Sequence, residues 1–243
     1  MKVIGIIPSR YASTRFPGKP LVTIHGKTMI RLVYEQAKQC KALDEVVVAT
    51  DDERIVKEVE SFKGKVVMTG THHGSGTERC LEAIEKLGNK WDVVVNIQGD
   101  EPFIHPEQID KVVGCFSNKN VQISTLASKM VDPRQLNNPS AVKIVRKING
   151  EALYFSRSPV PYCMKTEGKP WTEKHTYLEH IGLYAYRPEV LAKIVKLAPS
   201  PLELTEQLEQ LRWVEHGFSI HVEITDKEAA LAIDTPEDLK KIL

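Results

Sequence analysis

Residues 45–70 read EVVVATDDERIVKEVESFKGKVVMTG. A short β-branched run, EVVVAT, gives way to a helical pattern, DERIVKEVESF, and then to a second short apolar run, KVVMTG. That is the spacing of a βαβ unit. The alternation continues on both sides. Upstream, KVIGII predicts a strand buried on both faces, and TMIRLVYEQAKQC predicts a helix with Met29, Val33, Ala37 and Cys40 at helical spacing and Thr28 as its N-cap. Downstream, TERCLEAIEKLG predicts a helix and WDVVVNIQG a strand. Strands this apolar, alternating with helices, predict an α/β fold: a mostly parallel, Rossmann-like sheet with helices on both faces.

The second half is less regular. VQISTLASKMV and SAVKIVRKI predict strands. ALYFSRSPVPYC and LEHIGLYAYRP are mixed apolar and aromatic runs, joined by MKTEGKPWTEKHTY, which reads as an excursion or an interface arm. Helices are expected at about 188–197 and 201–216, the latter with a buried stripe of Leu204, Leu208 and Leu211. The strand SIHVEIT follows, and ALAID then precedes TPEDLKKIL, where Thr235 can cap and Pro236 can take the first helical position. With no repeat, low-complexity tract or long linker, a single domain over 1–243 is expected.

Bulk properties narrow the function. Of the 243 residues, 27% are charged and the formal net charge is +1, so neither nucleic acid nor an acidic membrane surface is an expected partner. The N-terminal MKVIGIIPSR has too short an apolar part for a signal peptide, and no run approaches the ~18 apolar residues of a membrane span. Cys40, Cys80, Cys115 and Cys163 are scattered, form no CxxC and show no zinc-ligand spacing, which suits a reducing cytoplasm.

Against that balance, IPSRYASTRFPGKPL (Ile7–Leu21) carries Arg10, Arg15 and Lys19 with no acidic residue, and no Asp or Glu occurs before Glu35. Ser9, Ser13 and Thr14 add hydroxyls. Positive charge and donors at the end of a first strand suit a polyanion, most simply a nucleoside triphosphate; the alternative is a solvated loop. The usual cradles are absent: Gly18-Lys19 runs into Pro20, and Gly74 and Gly76 are followed by Arg79 where a dinucleotide fingerprint needs glycine. A second signal is VVVNIQGDEPFI, an apolar strand that stops at Gln98-Gly99-Asp100-Glu101-Pro102, with Asp100 too far ahead of the helix at 106 to cap it directly. A third is Asp234 after ALAI, where a turn residue is the alternative. Two carboxylates from two strand ends can hold Mg²⁺. Asp51 and Asp52 are read as helix caps. His72 and His73, adjacent on an irregular loop, are read as poorly placed to chelate one ion.

Taken together, IPSRYASTRFPGKPL, VATDD, GSGTER, NIQGDEPFI, YFSRSPVPY, HIGLYAYR, LELTEQLEQLRW and AIDTPEDL resemble the 3-deoxy-manno-octulosonate cytidylyltransferases, the CMP-Kdo synthetases. The first motif is shared with many sugar nucleotidyltransferases; QGDEP, FSRSPVP and EQLEQLR in combination are specific. The resemblance covers essentially the whole chain. It implies a nucleotidyltransferase sheet, with a nucleotide-binding part at about 1–130 and 219–243 and an inserted sugar-binding and dimerisation part at about 131–218. It implies transfer of CMP from CTP to Kdo with Mg²⁺, in a cytoplasmic homodimer. Arg10 and Lys19 would hold the triphosphate with Ser13 and Arg15 nearby, Ser75 and Gln98 would help recognise cytidine, and Asp100 and Asp234 would hold the metal. Arg10, Lys19 and Asp100 would be the catalytic residues. Arg157, His180, Tyr184, Glu209 and Gln210 would line the sugar site, with Arg79 a lesser candidate. On the residues alone, Arg157 could face water, His180 could be a core histidine, and Glu209 could pair with Arg212 three residues on. A cytidylyltransferase for another sugar acid, such as a sialic acid, and a non-catalytic CTP sensor are the competing readings.

Overall fold

The computed structural model describes residues 1–12, 16–88, 90–166, 168–228, 231–240 and 242; the expected nucleotide ligands Ser13 and Arg15 lie outside the described residues. In chain order the elements are β1 (Val3–Ser9), β2 (Thr23–Ile24), β3 (Lys27–Thr28), α1 (Met29–Ala37), β4 (Glu45–Thr50), α2 (Glu53–Ser61), β5 (Val66–Met68), α3 (Gly76–Lys86), β6 (Val93–Asn96) and α4 (Pro106–Gly114). They continue with β7 (Ile123–Lys129), β8 (Lys143–Arg146), β9 (Ala152–Ser156), α5 (Trp171–Lys174), β10 (Leu178–Tyr186), α6 (Pro188–Ile194), α7 (Pro201–Glu206), α8 (Glu209–Glu215), β11 (Ile220–Thr225) and α9 (Pro236–Lys240). Among the described residues no helix is long and apolar enough to cross a membrane.

Two compact units emerge: Met1–Gly114 with Leu183–Val195 and Ala230–Leu243, and Cys115–Gly182 with Lys196–Ala229. The division differs from the expected one near residues 131 and 218. Strands β7 and β11 pair with each other in the second unit, and the end of β10 with α6 belongs to the first.

In the first unit the strand order is β10-β6-β1-β4-β5, parallel except for the antiparallel end of β10. Ile4, Ile6 and Ile7 of β1 are all fully buried, as are Val93, Val94 and Val95 of β6; each such side chain contributes about 1.5–3 kcal/mol of transfer free energy. Right-handed crossovers place α1 and α2 on one face and α3 on the other. Helix α4 packs beside α1, and α6 beside α3, so both faces are covered. From β1 the chain winds outward to β4 and β5, then returns to β6 on the other side of β1. This reversal opens a crevice beyond the carboxyl ends of β1 and β6.

Local chemistry explains most boundaries. Asp52 caps α2 by accepting from the Arg54 N–H. Thr28 stands at the N-cap position of α1 but makes no side-chain cap; its hydroxyl donates instead to Glu58, 2.7 Å away, because a nearby carboxylate is the stronger acceptor. The ribbon of β2 and β3, turned at His25 (φ 47°) and Gly26 (φ 82°), was not expected from the sequence.

In the second unit β7 and β11 run parallel, while β8 pairs antiparallel with β9 and with the start of β10. The helix expected over 201–216 is two helices. Gln207 adopts a left-handed conformation (φ 54°) that ends α7, and Leu208 becomes the N-cap of α8. The break shifts the helical phase, so the expected stripe fails at one end: Leu204 is 60% exposed, while Leu208 and Leu211 are buried. Arg212 pairs with Glu203 across the break. Within the segment 163–176, Trp171 opens the short α5 and packs against Met130, Leu136, Ala141 and Tyr177.

Candidate functional site

The cleft beyond β1 and β6 is built by close backbone approaches. Gly99 lies so near the tip of β1 that a Cβ there would stand 2.9 Å from the Pro8 carbonyl oxygen. Gly76, the first residue of α3, packs on the Pro8 ring, where an added Cβ would be 3.1 Å away. The start of α3 is thereby held at the cleft, and its first N–H groups supply a positive end that favours an anion. Ser75 is the N-cap, its hydroxyl accepting from the Glu78 N–H at 3.3 Å.

Lys19 is delivered by its own loop. Gly18, at φ 73°, donates its N–H to the Tyr11 carbonyl, folding the loop back on its root and starting the short 3-10 turn Lys19–Leu21. Arg54, bidentate to Asp52, lies over the Tyr11 ring and anchors that root. Lys19 Nζ then sits between two carboxylates, donating to Asp100 Oδ2 at 2.8 Å and to Asp234 Oδ1 at 3.0 Å. Asp234 arrives from far along the chain: Ile233 is fully buried against Ile24 and Met29, and its N–H bonds the Asp100 carbonyl at 2.9 Å. Arg10, Ser75 and Gln98 line the same cleft. Six of the sequence-expected residues, Arg10, Lys19, Ser75, Gln98, Asp100 and Asp234, therefore converge.

Of two buried polar groups in and beside this cleft, the sequence counted Ser9 among the loop's hydroxyl donors and gave no signal for Asn96. Ser9 Oγ, on the lining, and Asn96 Oδ1 are buried with no hydrogen-bond partner among the described residues. Glu101, next to Asp100, is buried, and desolvation with the neighbouring Asp100 charge pushes its carboxyl up to about 8. Arg79, the lesser sugar candidate, also lines this cleft and is a buried clamp: it donates to Thr69 Oγ1 and the Gly70 carbonyl and pairs with Asp51 at 2.8 Å, tying together the ends of β4 and β5. This also corrects the reading of Asp51 as a cap.

The remaining candidates occupy ordered positions. In the first unit Tyr184 of β10 faces Asn96 of β6 in register and stacks beside Tyr186. In the second unit the Arg157 guanidinium donates to the carbonyls of Glu206, Gln207 and Pro139. The Glu206 carboxylate holds the Arg157 N–H and the Ser156 hydroxyl, a supporting role for which the sequence carries no local signal. His180 Nε2 meets the Thr125 hydroxyl at 3.0 Å and its ring stands edge-on to Phe155. Desolvation pushes this imidazole down to about 3, so it is neutral at physiological pH. Gln210 is buried, unlike the solvated helix face that spacing alone suggested. Glu209 opens α8.

A parallel α/β sheet with a cleft of cations and carboxylates at its switch point defines a nucleotide-binding protein of the transferase type. The cytidylyltransferase family model matches residues 4–224. Over its whole length the chain is 55% identical to the 3-deoxy-manno-octulosonate cytidylyltransferase of Parabacteroides distasonis, covering 97% of that protein. It is 52% identical to the enzyme of the same name from Cytophaga hutchinsonii, covering all of this chain and 96% of that one. The solved structure of a CMP:2-keto-3-deoxy-manno-octonic acid synthetase in complex with CTP superposes with a TM-score of 0.91 at 40% identity, over 100% of this chain and 97% of that one. The chain belongs to the 3-deoxy-manno-octulosonate cytidylyltransferase family.

Proposed function

We propose that this chain transfers CMP from CTP to the anomeric hydroxyl of Kdo, releasing pyrophosphate and supplying CMP-Kdo for lipopolysaccharide assembly. The observation that carries the reading is the convergence of Lys19, Asp100 and Asp234 at the switch-point cleft, in a chain whose relatives bear that activity in their names. The Kdo hydroxyl attacks the α-phosphorus and pyrophosphate leaves in line. Arg10 and Lys19 stabilise charge on the triphosphate and the departing pyrophosphate. Gln98 and Ser75 meet the cytidine. Arg157, His180, Tyr184, Glu209 and Gln210 serve the sugar; for Arg157 the attraction is the Kdo carboxylate, which suits a guanidinium fork.

Asp100 and Asp234 fit Mg²⁺: they are hard oxygen donors from two segments, already converging on one cation, the Lys19 ammonium. Bound there, the ion would polarise phosphate oxygens and offset their charge. The protein acts in the cytoplasm as a homodimer, a reading supported by the family likeness.

The test is pyrophosphate release from CTP and Mg²⁺, with Kdo and with N-acetylneuraminate in parallel, beside Asp100→Ala. Release with Kdo alone, abolished in the variant, is expected. Release with N-acetylneuraminate instead would assign another sugar acid, and tight CTP binding without release would make the chain a sensor.

A further inference from the structure

Outside the nucleotide cleft, the second unit brings together three side chains of metal-ligating type. Cys115 opens the 3-10 turn Cys115–Ser117; His221 and Glu223 are alternate residues of β11 and so share one face of it. Both are registered on β7, opposite Ser124 and Leu126. A thiol sulfur, an imidazole nitrogen and a carboxylate oxygen of these residues lie within 4.8 Å of one another. His221 Nε2 and Glu223 Oε2 are 3.8 Å apart. The imidazole is held from behind by backbone: Gly150, at φ 90°, approaches so closely that a Cβ there would stand 2.9 Å from the ring Cε1. All three residues are half-buried, and Cys115 is in no disulfide.

From this arrangement we propose that Cys115, His221 and Glu223 form a binding site for a thiophilic divalent ion, zinc by its chemistry. A thiolate, an imidazole and a carboxylate are its preferred donors, with water completing a tetrahedron. Ligand atoms at zinc bond lengths of about 2.0–2.3 Å stand roughly 3.3–3.8 Å apart, so the observed spacing needs only a small contraction. Binding exchanges the Cys115 thiol proton for the ion and ties the turn after Gly114 to β11. The sequence concealed the site because the turn and the strand are far apart along the chain.

The cluster of His72, His73 and Glu82 serves as a contrast. Its ligand atoms also lie within 4.8 Å of one another, although these adjacent histidines were read as poorly placed to chelate one ion. There, however, the Glu82 carboxylate already holds the His73 ring, the Gly70 N–H and the Lys86 ammonium, a cation that opposes a second one. It is a satisfied polar cluster.

The test uses the full chain freed of metal by a chelator and titrated with Co²⁺, then Zn²⁺. One equivalent of Co²⁺ should give a thiolate-to-metal charge-transfer band that Zn²⁺ displaces. The band should be lost in Cys115→Ser. In Glu223→Gln, at a side chain more exposed than that of His221, affinity should fall by at least the roughly tenfold that loss of even an outer-shell partner costs. Zn²⁺ should also shield Cys115, but not Cys163, from alkylation read by mass spectrometry. Absence of the band from the wild type, its survival in Cys115→Ser, or unshielded alkylation of Cys115 overturns the proposal. Circular dichroism of each variant confirms that it has folded.

Discussion

Lys19 shows how one side chain links fold to chemistry. Its ammonium bridges Asp100 and Asp234, whose mutual repulsion would otherwise open the cleft. Lys19→Ala should lower kcat by about 10²–10³-fold, the usual effect of removing a donor to developing charge. The same variant should bind Mn²⁺ more tightly than wild type in the absence of nucleotide, since the ammonium no longer competes for those oxygens; titration calorimetry checks this. His180 makes the matching statement about pH. Its imidazole titrates near 3 when folded and near 6.5 when unfolded, so between these values the unfolded chain binds the extra proton and acid favours unfolding. Stability should fall by about 1–2 kcal/mol between pH 7 and pH 5 on this account. Urea unfolding at the two pH values should show that loss in the wild type and a smaller one in His180→Gln.

At the scale of elements, joints matter more than lengths. Helices α7 and α8 are fastened by Glu203, whose carboxylate both pairs with Arg212 and accepts the Ser200 N–H at the start of α7. Glu203→Ala removes both and should cost about 2–4 kcal/mol. Thr205→Ala, which loses only a hydroxyl bond to a helix carbonyl, should cost less than about 1 kcal/mol. The tips of β1 and β6 are joined differently, by the near contact of Gly99 with the Pro8 carbonyl. Gly99→Ala should destabilise by about 1–3 kcal/mol and lower turnover, because backbone must move at the cleft. Gly114→Ala, at the end of α4 with open space around it, should be neutral or slightly stabilising. Thermal unfolding of the four variants, with pyrophosphate release by Gly99→Ala, checks all of these.

For the molecule as a whole, ligand and stability should be linked. CTP with Mg²⁺ at a hundred times its Kd should add about 2.7 kcal/mol to the unfolding free energy, read as a raised thermal midpoint, and Asp100→Ala should lose most of that gain. Much of this organisation was legible in the sequence. Apolar β-branched runs alternating with amphipathic patterns define parallel strands and their helices, because burial on both faces leaves no place for polar residues, and a loop of unopposed cations before a strand-end carboxylate betrays an anion site. What could not be read was whatever depends on residues distant in sequence meeting in space. Nothing near Asp234 announces that Ile233 will dock against Ile24 and Met29 and bring it to Lys19. Nothing near Arg79 says that Asp51 and Thr69 will take up its donors. A helical stripe through Leu204 gives no warning that Gln207 will turn left-handed and re-phase it. Local composition determined the elements and the charge of the cleft, since periodicity and propensity act over a few residues. The tertiary structure alone decided which carboxylates share a cation and which thiol meets which imidazole, since those pairings follow from how strands register and helices dock.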